Sequence, residues 1–142
     1  MNKTKVIKEL KKKYPNKSIV ALPVDNPTEI LCEINPSSDH PEYSIAVSVI
    51  DKSVPHCHKK TTETYKVIKG KLNLIVNGIS HSLLRGDSFV IEPHSFHYAI
   101  GDETWVECSS KPGWEARDHI LVKDVVPKGS RLRRARRPRL PS

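Results

Sequence analysis

This 142-residue chain is short of cysteine, of long apolar runs and of familiar catalytic signatures. Its three cysteines, Cys32, Cys57 and Cys108, are too few, and odd in number, for a disulfide framework. No apolar run approaches the ~20 residues that a membrane-spanning helix needs. The opening "MNKTKVIKELKKKYP" lacks the continuous apolar stretch and small-residue cleavage site of a secretory signal. Together these absences predict a cytoplasmic chain with reduced thiols and no membrane contact. Also missing are a Gly-x-Ser-x-Gly elbow, a phosphate-binding glycine-rich lysine loop, a Rossmann glycine run and His-Glu-x-x-His. No 20–50-residue repeat, helix-turn-helix or second domain is visible.

Acid is the residue class missing from the C-terminus. Residues 128–142, "KGSRLRRARRPRLPS", hold Lys128 and six arginines. Subtracting those seven charges from the net +8 leaves +1, so the remainder is nearly neutral. Seven further lysines, Lys3 to Lys17, crowd the N-terminus. A run this basic can contact phosphates or anionic lipid without sequence preference. Charge blocks are more often simply solvated, and no aromatic is interleaved here to stack a base. The expected organisation is one domain over residues 1–127 and a basic, disordered tail over 128–142, with nucleic acid the weaker partner reading.

What is present is alternation. Val6, Leu10 and Tyr14, with Ile7 beside them, predict a short helix over 3–14 that Pro15 stops. Beyond Ile19, proline-rich connectors separate short extended runs. "YSIAVSVI" (43–50) places Ile45, Val47 and Val49 on one face, and "KLNLIV" (71–76) does so with Leu72, Leu74 and Val76. Asn77-Gly78 supplies a two-residue hairpin turn, from which "ISHSLL" returns antiparallel. Arg85-Gly86-Asp87 reads as a tight turn before "SFVIEP" rather than as an adhesion motif. "HYAI" and "WVECSS" are expected as separate strands with Gly101-Asp102 turning between them, and "PGWEARDHILVKDVV" as a turn and a last strand. Eight or nine short strands at this spacing predict an all-β sandwich or barrel.

The chemistry concentrates in "PHCHKKTTETYKVIKG" (55–70). On a strand His56 and His58 share a face and Cys57 points away. If the next strand pairs with theirs, Glu63 returns over the two imidazoles, with Tyr65 and Val67 on its own face. Two imidazoles and a carboxylate suit a divalent first-row metal. A second stretch, "GDSFVIEPHSFH" (86–97), places Phe89 and Ile91 on one face and then delivers His97, able to be a fourth ligand. The residues alone leave a hydrogen-bonded polar cluster as the alternative.

Residues 53–70 match the first motif of the cupin superfamily: His56, one residue, His58, four residues, Glu63, six residues, Gly70. Residues 86–97 resemble its second motif through Gly86 and His97. Glu92 stands where proline is usual, with Pro93 one place later, and His94 stands where glycine is usual. The resemblance covers about residues 42–110. It implies an all-β jelly-roll barrel around one divalent transition metal (Fe, Mn, Ni or Zn) held by His56, His58, Glu63 and His97, with pairing into homodimers.

Around that centre Tyr65, His94 and Glu107 are the candidate proton-moving residues. Phe89, Ile91 and Ala99 are expected as apolar wall, Cys57 as a packed thiol, and Trp105 and Trp114 as core or interface anchors. His40, His81 and His119 fit no constellation. Two functions follow. One is a metal-dependent isomerase, lyase or dioxygenase acting on a small polar molecule. The other is a non-catalytic metal- and small-ligand-binding protein, a sensor or scaffold.

Overall fold

The computed structural model describes residues 1–122. The predicted tail at 128–142 lies outside the described residues, as does the end of the predicted domain. No helix among the described residues is long and apolar enough to cross a membrane.

The chain opens with helix α1 (Lys3–Lys13). Asn2 caps it, its side chain accepting from the Lys5 backbone N–H at 3.1 Å, and three lysines occupy the last turn, where cations suit the helix dipole. Ten strands follow among the described residues: β1 (Ser18–Leu22), β2 (Glu29–Asn35), β3 (Ser44–Lys52), β4 (His56–Cys57), β5 (Thr62–Lys69), β6 (Leu72–Val76), β7 (Ile79–Leu83), β8 (Ser88–Ile91), β9 (His97–Lys111) and β10 (Ile120–Leu121). All pairings are antiparallel, and β1-β2-β3-β9-β4-β10 is the main strand order. The architecture is all-β, as the alternation predicts.

Strand β9 organises the molecule. The two strands expected over 98–110 are one element of 15 residues. Residues 104–111 run between β3 and β5, whereas residues 97–100 run against β6 and, at His97, against β4. The expected turn at Gly101-Asp102 is instead a bend inside the strand, where the register with β3 shifts between Ile50 and Lys52. A Cβ on Gly101 would stand 2.8 Å from the Ile50 carbonyl oxygen and 2.5 Å from Thr104 Oγ1, so the bend needs glycine. By contrast, the β6–β7 hairpin turns as predicted, with φ of 49° at Asn77 and 82° at Gly78.

Two cores result. Ile50, Tyr65, Val67, Leu72, Leu74, Val76, Leu83, Ile91, Ala99 and Val106 fill the barrel interior. On the outer face of β2, β3 and β9, Val6 and Leu10 of α1 pack on Ile30, Cys32, Val47, Val49 and Trp105. Strands β3 and β9 therefore bury both faces. The interior core, rather than the helix, walls the site described next.

Candidate metal centre

His56 opens β4 and pairs across the ladder with His97, the first residue of β9. His58 follows β4 directly. Glu63, near the start of β5, lies opposite Ser110 of β9 and Ile91 of β8. The expectation that Glu63 returns by pairing of its strand with the histidine strand is corrected: β4 and β5 each pair with β9. The bend in β9 lets a single strand serve both.

The four side chains converge. All are buried, and one possible ligand atom from each lies within 4.8 Å of every other. His97 Nε2 stands 3.2 Å from Glu63 Oε1. His58 Nε2 is 3.5 Å from the same oxygen, and this buried nitrogen has no hydrogen-bond partner. Ligands opposite one another on a first-row ion stand about 4.2 Å apart, from bonds near 2.1 Å. The widest separation in the set is close to that span.

The remaining ring nitrogens strengthen the fit. His56 Nδ1–H donates to the Val54 carbonyl at 2.8 Å, His58 Nδ1–H to that of Asp118 at 3.0 Å, and His97 Nδ1–H to that of Ser95 at 2.9 Å. A carbonyl only accepts, so each Nδ1 carries the proton and each Nε2 presents its lone pair inward when the ring is neutral. Imidazoles that ligate metals are characteristically held this way. An orphaned buried nitrogen, three fixed tautomers and a carboxylate are a donor set suited to a divalent transition metal.

Electrostatics divide the ligands. Burial, reinforced by His97 and His119, pushes His56 down to about 3, so it is neutral at any ordinary pH. Burial acts the same way on His58, but Glu63 and the Asp118 carbonyl outweigh it and hold His58 above its ordinary value. Glu63 is itself buried, which opposes its charge, yet His58 and His97 keep it below the usual carboxylate range.

The proposed acid–base residues separate. Tyr65 is brought in: it is buried, its ring meets that of His97 edge-on at 6.1 Å, and it faces Cys108 and Phe89 across the neighbouring strands. Its phenol is raised well above its ordinary range by burial, then by Glu63, Cys108 and Glu29, so it is a neutral hydrogen-bond donor. His94 is exposed, outside the four-residue group. Its backbone adopts φ 70°, the conformation glycine favours, which explains how histidine replaces the motif's glycine. Its N–H donates to the His58 carbonyl at 2.6 Å, tying the two motifs together.

Glu107 is not at the site. Val106 belongs to the interior core and Cys108 packs against it, so Glu107 shares the opposite face with Trp105, where its charge is felt by Tyr14.

Two residues at the site were not foreseen. His119, expected to lie outside any constellation, stacks on His56 with centroids 4.1 Å apart and planes 22° apart. Its Nδ1 is buried without a partner. Glu29, opposite Ile50 in the β2–β3 ladder, accepts a 2.7 Å hydrogen bond at Oε2 from Ser48 Oγ. Burial raises its carboxyl; Ser48 works against the rise and Glu63 adds to it. Glu29 and Glu63 thus bear on the same interior space. Phe89, Ile91 and Ala99 do belong to its apolar wall.

No protein-family model and no curated protein matches the chain. Solved structures do. A cupin of the RmlC-like kind from Shewanella frigidimarina aligns over 70% of this chain and 87% of its own, with TM-score 0.59 and 19% identity. The fold is that of a cupin. Pac13 from Streptomyces, a nucleoside dehydratase, aligns over 76% of this chain and 88% of its own, with TM-score 0.64 and 12% identity. HppE in its iron(II) form aligns over 68% of this chain and 56% of its own, with TM-score 0.57 and 14% identity. At such identities the likeness is one of fold, and the chain's chemistry rests on its own side chains.

Proposed function

We propose that the protein is a metal-dependent enzyme of the isomerase or lyase type, acting on a small hydroxylated carbonyl compound. One observation carries the reading. A buried three-histidine, one-carboxylate cluster shares the barrel interior with a second carboxyl, Glu29, held by Ser48. A closed structural metal site needs no such group.

Substrate class follows from the lining. Among the described residues no lysine or arginine is buried, and the inward-facing strand positions carry Glu29, Glu33, Glu63, Tyr65, Cys108 and the histidines. A phosphorylated substrate would meet carboxylates with no cationic side chain to pair with it. Away from the ion, this lining favours a neutral molecule.

His56, His58, Glu63 and His97 would hold the ion, which when bound acts as a Lewis acid toward a chelating hydroxyl–carbonyl pair. Tyr65 donates a hydrogen bond to a substrate oxygen, its phenol kept protonated first by burial and then by the carboxylates around it. Glu29, its affinity for a proton raised, takes a proton from carbon or returns one to oxygen, and Ser48 fixes the carboxyl's orientation. The apolar wall of Leu72, Leu74, Val76 and Ile91 keeps bulk water from the intermediate.

Elemental analysis of purified protein tests the centre. Near-stoichiometric metal is expected in the wild type and none in His58→Ala or His97→Ala. The chemistry is tested in D2O by following deuterium wash-in next to the carbonyl across a panel of neutral hydroxy-aldehydes and hydroxy-ketones. Wild type should exchange at least one, and Glu29→Gln should retain its metal and lose exchange. Dioxygen uptake without exchange would move the assignment to oxidative cleavage. Stoichiometric metal with neither activity would leave the non-catalytic binding role.

A further inference from the structure

Beyond the four ligands, the metal centre has a wall that neither cupin motif contains. After β9 the chain doubles back and lies over the histidine strand. Trp114 is stapled at both ends of its peptide: its N–H donates to Ser44 Oγ at 2.9 Å, and its carbonyl accepts from Ser37 Oγ at 2.7 Å. A single 3₁₀ turn (Ala116–Asp118) follows, and then β10 pairs Ile120 with Cys57 and Leu121 with His56.

Within this segment Asp118 is buried and fully committed. Its Oδ1 accepts from the Lys59 N–H at 2.9 Å and the Lys60 N–H at 3.3 Å, and its Oδ2 from the Lys60 and Thr61 N–H groups, both at 3.2 Å. These three amides form the turn that separates His58 from Glu63. The carbonyl of the same residue takes the Nδ1–H of His58 at 3.0 Å. One residue thus sets both the tautomer of a ligand and the path of the chain to the next ligand. His119, immediately after it, lies flat against His56, whose other side meets His97 with centroids 4.2 Å apart.

We propose that residues 114–121 are a strap that sets the affinity of the metal centre, with Asp118 and His119 as positioning residues for His58 and His56. The proposal rests on the metal reading above. Partners of this kind typically change metal affinity 10–100-fold. Linkage makes the effect reciprocal: a strap that tightens the metal is held down by it to the same degree. The bound metal therefore controls whether the C-terminal segment stays docked.

Arg117, mid-strap, supplies a reporter. Its side chain is 79% exposed, so trypsin can recognise it, but cleavage after it requires the strap to leave its seat. The full chain is digested metal-free and with cobalt(II), whose visible absorption reports its ligands; elemental analysis establishes occupancy in the same samples. Cleavage at Arg117 should slow at least tenfold with cobalt bound. An unchanged rate at full occupancy would overturn the strap while leaving the metal centre standing. Failure of cobalt to bind would overturn both.

Variants give the converse measurement. Asp118→Asn keeps shape but cannot satisfy all three amides, and should weaken cobalt 10–100-fold; wild-type affinity would refute the clamp. His119→Phe keeps a stacking ring without nitrogen, and should bind cobalt as the wild type does, whereas His119→Ala should not. Equal losses in both would make a nitrogen of His119 the acting group and overturn its positioning role. Should Asp118→Asn not fold, the digestion result on the wild-type chain decides the matter.

Discussion

Acidifying the metal-free protein from pH 6.5 to 4.5 should cost it stability through His56, and the amount follows from the structure. His56 is 6% exposed, and burial with His97 and His119 nearby lowers it from 6.5 to about 3. Between those values the unfolded chain binds a proton at this residue that the fold refuses. Stability therefore rises with pH across the window and falls as pH drops through it. One fully exchanged proton is worth about 1.36 kcal/mol per pH unit, but only half of the unfolded chains carry it at pH 6.5, so the span from 6.5 to 4.5 carries about 2.3 kcal/mol.

The window separates His56 from its neighbours. His58 is raised, so its contribution is fully present below its unfolded value of 6.5 and is lost only as pH climbs through the raised value. Glu63 is depressed, so its contribution is lost only below 4.5. His119, lowered by burial, works in the same direction as His56, and Glu29, raised by burial, in the opposite one. Both are common to the wild type and to His56→Gln, so the comparison cancels them. Urea unfolding of the two proteins at pH 6.5, 5.5 and 4.5 is the assay. The wild type should lose about 2.3 kcal/mol more than the variant over the range, with equal m-values. Parallel losses would show that His56 takes a proton freely in the fold, and the argument that it is held neutral for a metal would fail.

Metal binding at pH 6.5 should release protons, with His58 a main source because it is held above its ordinary value, read by calorimetry in two buffers of different ionisation enthalpy; occupancy should fall below about pH 5.5, as ligation requires neutral imidazole. His94→Gly should stabilise the protein by about 0.5–1 kcal/mol, because φ 70° costs a side chain about 1–2 kcal/mol and glycine's entropy offsets part of that. A thermal melt and an unchanged metal affinity check it, and a loss of affinity would give His94 a role at the site. Leu10→Ala should cost about 2–5 kcal/mol in urea without altering metal content, since Leu10 packs on the outer face of the sheet.

How far the sequence reveals this site depends on which strands bury one face and which bury two. β6 is half-buried, so the alternation of Leu72, Leu74 and Val76 reads directly as interior. β9 buries Trp105 against the helix and Val106 against the interior, so alternation there has no phase. Glu107 consequently looks as good a base as any, and only the fold turns it outward. Glu29 poses the reverse case. Ile30 and Cys32 mark the buried face of β2, which makes Glu29 look like solvent decoration. In a flat two-layer sheet it would be so, but here the opposite face is the inside of a barrel. The four ligands are legible because their spacing lies within two short motifs whose strand geometry is local. His119 is not legible, because 61 residues separate it from His58 and only the two-residue pairing of β10 with β4 brings it back. The parts of the centre that bind are thus written in local spacing, and the parts that tune it are written in closure of the sheet. Substitutions at Glu29, Asp118 and His119 should therefore alter the behaviour of the metal centre while every residue of both motifs stays in place.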